Sequence, residues 1–137
     1  DLGAKTKLIT DGDVAGALLV TDTKFKVDLF LGIGGGPEGV LAASALDAYD
    51  CYFQGRLIFE NDNDKKRAAD MGIKDHDKKY SLNEIVSGDS IFCATGITSG
   101  DLVKGISIKD KKFESQTLVT HKSSNTKEII SKVFDIE

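Results

Sequence analysis

The chain has 137 residues, 40% of them hydrophobic, which is long enough and apolar enough for one domain with its own core. Its net charge of −4 and pI near 5.2 argue against a nucleic-acid partner, since a phosphate backbone rewards basic patches. No apolar run approaches the roughly 20 residues that cross a bilayer, and nothing at Asp1 reads as a charged-then-apolar leader, so a cytoplasmic protein without membrane contact is expected.

In chain order, Lys5–Thr10 alternates into a short strand that ends at Asp11-Gly12-Asp13. Val14–Val20 reads as a buried helix capped by Asp13. After the polar connection Thr21–Lys26, Val27–Ile33 is a nearly continuous apolar run, as in a strand covered on both faces. Gly34-Gly35-Gly36 follows, and Pro37 opens an alanine-rich helix to Tyr49 with Glu38 in its first turn. Cys51–Phe59 reads as a third strand interrupted by Gly55.

The composition then turns charged. Asp64–Met71 reads as a surface helix closed by Gly72, and Leu82–Val86 as a further helical turn. Ser90–Thr95 is a fourth strand, and Gly105–Lys109 with Phe113–His121 forms a hairpin around Asp110-Lys111-Lys112. Residues 126–134 suit helix or strand. Strands alternating with helices indicate an α/β domain, and the late hairpin makes its sheet mixed.

Three loops could carry chemistry. Gly34–Gly36, between a strand and a helix, offers backbone N–H groups to a phosphate or a place for a metal. Asp11 and Asp13, two positions apart, can present carboxylates on one side, to a divalent cation or to sugar hydroxyls. Local sequence alone favours the plainer account, in which both are turn and cap residues and Glu38 complements a helix dipole. In Thr95-Gly96-Ile97-Thr98-Ser99-Gly100-Asp101, ordinary loop chemistry again leads over a phosphate pocket. Arg56 suits an anion or a surface ion pair. His76 reads as solvated, and His121 has no acidic or cysteine partner nearby, so Ser/His/Asp catalysis gains no support. Cys51 and Cys93 lie far apart and are expected as two reduced core thiols. Met71 is the only methionine and the chain opens at Asp1, so a piece of a longer polypeptide is expected.

Together, Asp11-Gly12-Asp13-Val14-Ala15, the block from Gly32 to Ala43, Phe53-Gln54-Gly55-Arg56-Leu57 and the block from Ala94 to Gly105 resemble the class II fructose-1,6-bisphosphatases. The order and spacing of these blocks agree with that family over nearly the whole chain. The resemblance implies the C-terminal portion of such an enzyme, residues 1–137 being its substrate- and metal-binding part, in a layered sugar-phosphatase-like fold. It implies a phosphatase that removes the 1-phosphate of fructose 1,6-bisphosphate in gluconeogenesis with Mn2+ or Mg2+, and relatives that also take sedoheptulose 1,7-bisphosphate. By position, Glu38 would be a metal ligand, and Asp11, Gly12, Asp13 and Gly35 would contact substrate. A homo-oligomer is expected at full length. The family's other metal carboxylates belong upstream of Asp1, so the isolated chain is expected to be inactive. A non-catalytic sugar-phosphate-binding or regulatory module is the alternative. The segment from His121 to Glu128 carries fewer arginines than expected of relatives, which weakens any anion contact there.

Overall fold

The computed structural model describes residues 3–10 and 12–136. Its helices are α1 (Asp13–Leu18), α2 (Gly36–Asp47), α3 (Asp62–Asp70) and α4 (Leu82–Ile85). Its strands are β1 (Gln54–Arg56), β2 (Lys79–Ser81), β3 (Ile91–Thr95), β4 (Ser107–Lys109), β5 (Lys112–His121) and β6 (Thr126–Asp135).

The C-terminal half forms one sheet around β5. Strand β6 pairs with β5 along its whole length, from Lys112↔Asp135 to His121↔Thr126. The other edge of β5 is shared, with β3 against residues 117–121 and β4 against 112–114. Asp110 and Lys111 carry positive φ of 51° and 59°, and this two-residue turn matches the twist of the β4–β5 hairpin. The segment that suited helix or strand is therefore a strand, because β5 offers it a full edge. A separate pair, β1 with β2, is also antiparallel.

Helix α2 covers one face of the sheet. Pro37 stands in its first turn, as expected, although the helix begins one residue earlier at Gly36. The core joins Ala42, Ala45 and Leu46 of α2 with Ala17 and Leu18 of α1, Leu82, Phe92 and Leu118. Thr120, 1% exposed, donates from Oγ1 to the carbonyl of Ala45 at 3.2 Å and so ties sheet to helix. Asp47, at the helix end, takes a 2.9 Å contact from Lys122.

Two smaller helices are built as the sequence indicates. In α3, Asn61 accepts from the Asp64 N–H at 3.0 Å. Its other end closes at Gly72 (φ 92°), with Gly72 N–H on the Ala69 carbonyl and Ile73 N–H on that of Ala68. Before α4, Glu84 reaches back to accept from Ser81 N–H at 2.9 Å and Ser81 Oγ at 3.0 Å.

Two expected strands do not form. Residues 5–10 and 27–33 form no strand, with bends at Thr10 and Asp28, and no backbone hydrogen bond among the described residues involves residues 4–10 or 27–34. A ladder needs a neighbouring edge, and none reaches them. The third expected strand shrinks to Gln54–Arg56, the part that meets β2. Every strand pair among the described residues is antiparallel, so the parallel pairs of a mixed sheet are not formed there.

Candidate functional site

Two helix starts meet across one glycine turn. Gly12, left-handed at φ 77° and ψ 43°, precedes α1 without a side-chain cap. Asp13 is accordingly the first helical residue and not the cap expected of it, so its carboxylate projects from the turn. Gly35 precedes α2, and Glu38 lies in that helix's first turn. A Cβ on Gly34 would stand 2.6 Å from Asp13 Oδ2 and 3.9 Å from Glu38 Cβ. A Cβ on Gly35 would collide with the Glu38 carboxylate. The atoms nearest these glycines are thus the carboxylate ends of Asp13 and Glu38, and the two acids flank this stretch of backbone.

Asp13 is half-buried and Glu38 exposed, and neither carboxylate has a hydrogen-bond or ion-pair partner among the described residues. Hard divalent cations take carboxylate oxygen, so this donor set fits one edge of such a site. It is only an edge: among the described residues no group of three or more potential metal ligands comes together. Asp11, predicted beside Asp13, lies outside the described residues. Gly12, Asp13, Gly35 and Glu38 are brought to one place, although Gly12 and Glu38 are 26 positions apart in sequence (38 − 12).

The other candidates go elsewhere. The loop after β3 is stitched to itself, since Ser99 Oγ accepts from Gly105 N–H at 3.0 Å and Gly100 N–H donates to the Val103 carbonyl at 3.1 Å. Thr95 Oγ1 pairs with Thr117 Oγ1 at 2.8 Å. The Ser99 hydroxyl thus holds the turn, and the Thr95 hydroxyl bridges β3 to β5. Arg56 is exposed on β1 and makes no ion pair with a described residue.

Both histidines differ from expectation. His76 is half-buried against Phe59, with ring centroids 5.0 Å apart, and is not a solvated side chain. His121 does have an acidic partner: Nε2 lies 3.0 Å from Asp89, and Nδ1 lies 2.7 Å from Ser124 Oγ. Ser123 Oγ donates to the same aspartate, and these hydrogen bonds, led by that of Ser123, lower the Asp89 pKa. No local signal could reveal this cluster, because Asp89 and His121 are 32 residues apart and meet only through the β3–β5 pairing. It clasps the β5–β6 turn and lies outside the glycine turn. The two thiols are free, as expected, but Cys93 is exposed and not in the core. Burial pushes the Cys51 thiol pKa up, which makes it a poor nucleophile.

A cavity of about 410 Å³ opens between Thr21–Phe25, Tyr49, Leu102 and the sheet residues Leu118, Lys127 and Ile129. None of its lining residues belongs to the glycine-turn site.

With that geometry in hand, known proteins supply the family. Residues 1–134 match the family described as bacterial fructose-1,6-bisphosphatase, glpX-encoded. The chain belongs to this family, as its motif blocks imply. A protein of Haemophilus influenzae named fructose-1,6-bisphosphatase class 2 is 41% identical over 92% of the chain. One of Trichodesmium erythraeum, named D-fructose 1,6-bisphosphatase class 2/sedoheptulose 1,7-bisphosphatase, is 35% identical over 96%. The chain covers 42% of each of these relatives, so it spans about two fifths of their length.

Proposed function

We propose that this chain is the substrate- and metal-binding C-terminal portion of a divalent-metal-dependent phosphatase that removes the 1-phosphate of fructose 1,6-bisphosphate. The observation that carries this reading is the placing of Asp13 and Glu38 around Gly34 and Gly35, in a chain that matches the bisphosphatase family over residues 1–134. Glu38 would hold the cation, Mn2+ or Mg2+. Asp11, Gly12 and Asp13 would hold the sugar, and the backbone at Gly35 would approach the substrate. A bound divalent ion supplies charge neutralisation at the phosphoryl oxygens and a more acidic attacking water. The chain's own residues position: two carboxylates orient hydroxyls and cation, and the open glycine backbone lets a phosphate ester come close. Two carboxylates fall short of a full hard-cation shell, so activity requires the rest of the family's length.

The names of the photosynthetic relatives extend the substrate reading to sedoheptulose 1,7-bisphosphate. Gluconeogenic carbohydrate metabolism, a cytoplasmic setting and a homo-oligomeric full-length enzyme belong to the same proposal. No helix among the described residues is long and apolar enough to cross a membrane. The second reading is a binding or regulatory module without catalysis, supported by the lack of a group of three potential metal ligands among the described residues.

Phosphate release from fructose 1,6-bisphosphate with added Mn2+ tests the proposal, comparing the full-length protein with its Glu38→Gln variant. Loss of turnover by about 100-fold or more in a folded variant is expected of a lost metal ligand. Unchanged turnover makes Glu38 a helix-start residue. No turnover by either protein favours the binding module.

A further inference from the structure

The excursion between β1 and β2 carries a second cavity, of about 380 Å³, large enough for a small ligand. Its lining includes Arg56 and Phe59 at the β1 end, Lys65 of α3, and His76 and Asp77. Three groups here lack a partner among the described residues. Arg56 makes no hydrogen bond or ion pair. Lys79 stands directly opposite Arg56 in the β1–β2 pair, on the same face, and it too has no acidic partner. Like charges facing each other across a ladder repel, so this pair is unfavourable without an anion beside it. Nε2 of His76 is buried and makes no hydrogen bond. Buried polar nitrogens are nearly always paired, so an orphaned one points to a further group. The ring packs on Phe59 with centroids 5.0 Å apart, and a small turn about its soft χ2 presents the nitrogen to the cavity that the ring lines.

We propose that this cavity is an anion site that takes a phosphate group, free or carried by a small sugar. The unpaired Arg56 guanidinium can hold two phosphate oxygens at once, and an anion there relieves its repulsion with Lys79. Lys65 adds a second cation at the wall, although its 3.5 Å contact with Asp62 spends part of its charge. The His76 imidazole supplies a donor, and the apolar wall of Ile58 and Phe59 strengthens these contacts by keeping water back. Asp77, the carboxylate in the lining, repels an anion but accepts from a hydroxyl, which favours a phosphate that carries a polyol. None of Gly12, Asp13, Gly35 and Glu38 lines this cavity. The proposal therefore stands or falls independently of turnover at the glycine turn.

The chain has two histidines and only His76 lines the cavity, so their ring-proton NMR signals give a probe and an internal control. Titrating the 137-residue chain with inorganic phosphate, at fixed pH and ionic strength, should move the His76 signal to saturation and leave that of His121 in place. Arg56→Gln should weaken the apparent affinity by about 10-fold or more, since a charge-assisted fork is lost, and Lys79→Gln by less. Both side chains are exposed, so the variants should keep the amide spectrum of the folded chain. Glucose 6-phosphate separates the two sources. Binding tighter than that of inorganic phosphate makes a sugar phosphate the ligand, and equal or weaker binding makes it free phosphate. A His76 shift that does not saturate, an equal shift at His121, or unchanged affinity in both folded variants would overturn the proposal.

Discussion

Residues 82–136 and residues 3–35 are both rich in apolar runs, yet among the described residues only the first region pairs its strands. In the C-terminal sheet every strand finds its neighbour within the same stretch of chain, through a two-residue turn at Asp110–Lys111 and a short turn after His121. In the N-terminal region Ile9 and Phe30 reach Gly16 of α1 and Phe30 the core, while Leu8, Leu29, Leu31 and Ile33 stay exposed. The difference teaches that an apolar run states a need for partners without naming them. Hairpins meet that need locally, whereas a strand covered on both faces depends on distant chain.

The largest expected effect breaks the comparison along burial. Leu46→Ala, in the core at 3% exposure, should cost about 2–5 kcal/mol in urea unfolding, whereas Leu31→Ala should change the isolated chain by less than about 0.5 kcal/mol. Equal costs would mean that the N-terminal face is covered in solution.

A smaller effect sharpens the account of the sheet's loop. A Cβ on Gly105 would stand 2.5 Å from both Ser99 N and Thr98 C, which are backbone atoms that cannot swing away. Gly105→Ala should destabilise by about 1–3 kcal/mol. Gly39→Ala, in α2 with open space around the new methyl, should stabilise by about 0.5–1 kcal/mol. Both are read from the same urea midpoints, and a neutral Gly105→Ala would show the loop to be looser than its hydrogen bonds imply.

The smallest effect is in pH. The Ser81 backbone N–H, then Lys78, then the Ser81 hydroxyl hold the Glu84 carboxylate down to about 2, against an ordinary 4.5. A carboxylate depressed on folding stabilises the native state above its unfolded pKa and loses that contribution as pH falls. Stability attributable to Glu84 should therefore be complete above pH 4.5 and decline toward pH 2, and Glu84→Gln should flatten that part of the profile. An unchanged profile would show the cap to be unformed in solution.

Much of the fold was legible because its signals are local. Pro37 with Glu38 marked α2, Gly72 closed α3, and the alternation on either side of Asp110 set the β4–β5 hairpin. The glycine turn and its carboxylates were legible as residue types, and the motif blocks were legible as a family. What the sequence determined by itself was thus the set of helix starts, turns and apolar faces, since these follow from backbone sterics, capping and periodicity over a few residues. Only the tertiary structure decided which faces meet. It placed Asp13 and Glu38 around Gly34, drew Asp89 to His121, and left Leu29, Leu31 and Ile33 bare. Contacts between distant residues depend on which edges and surfaces the whole chain brings within reach, and no local pattern encodes that.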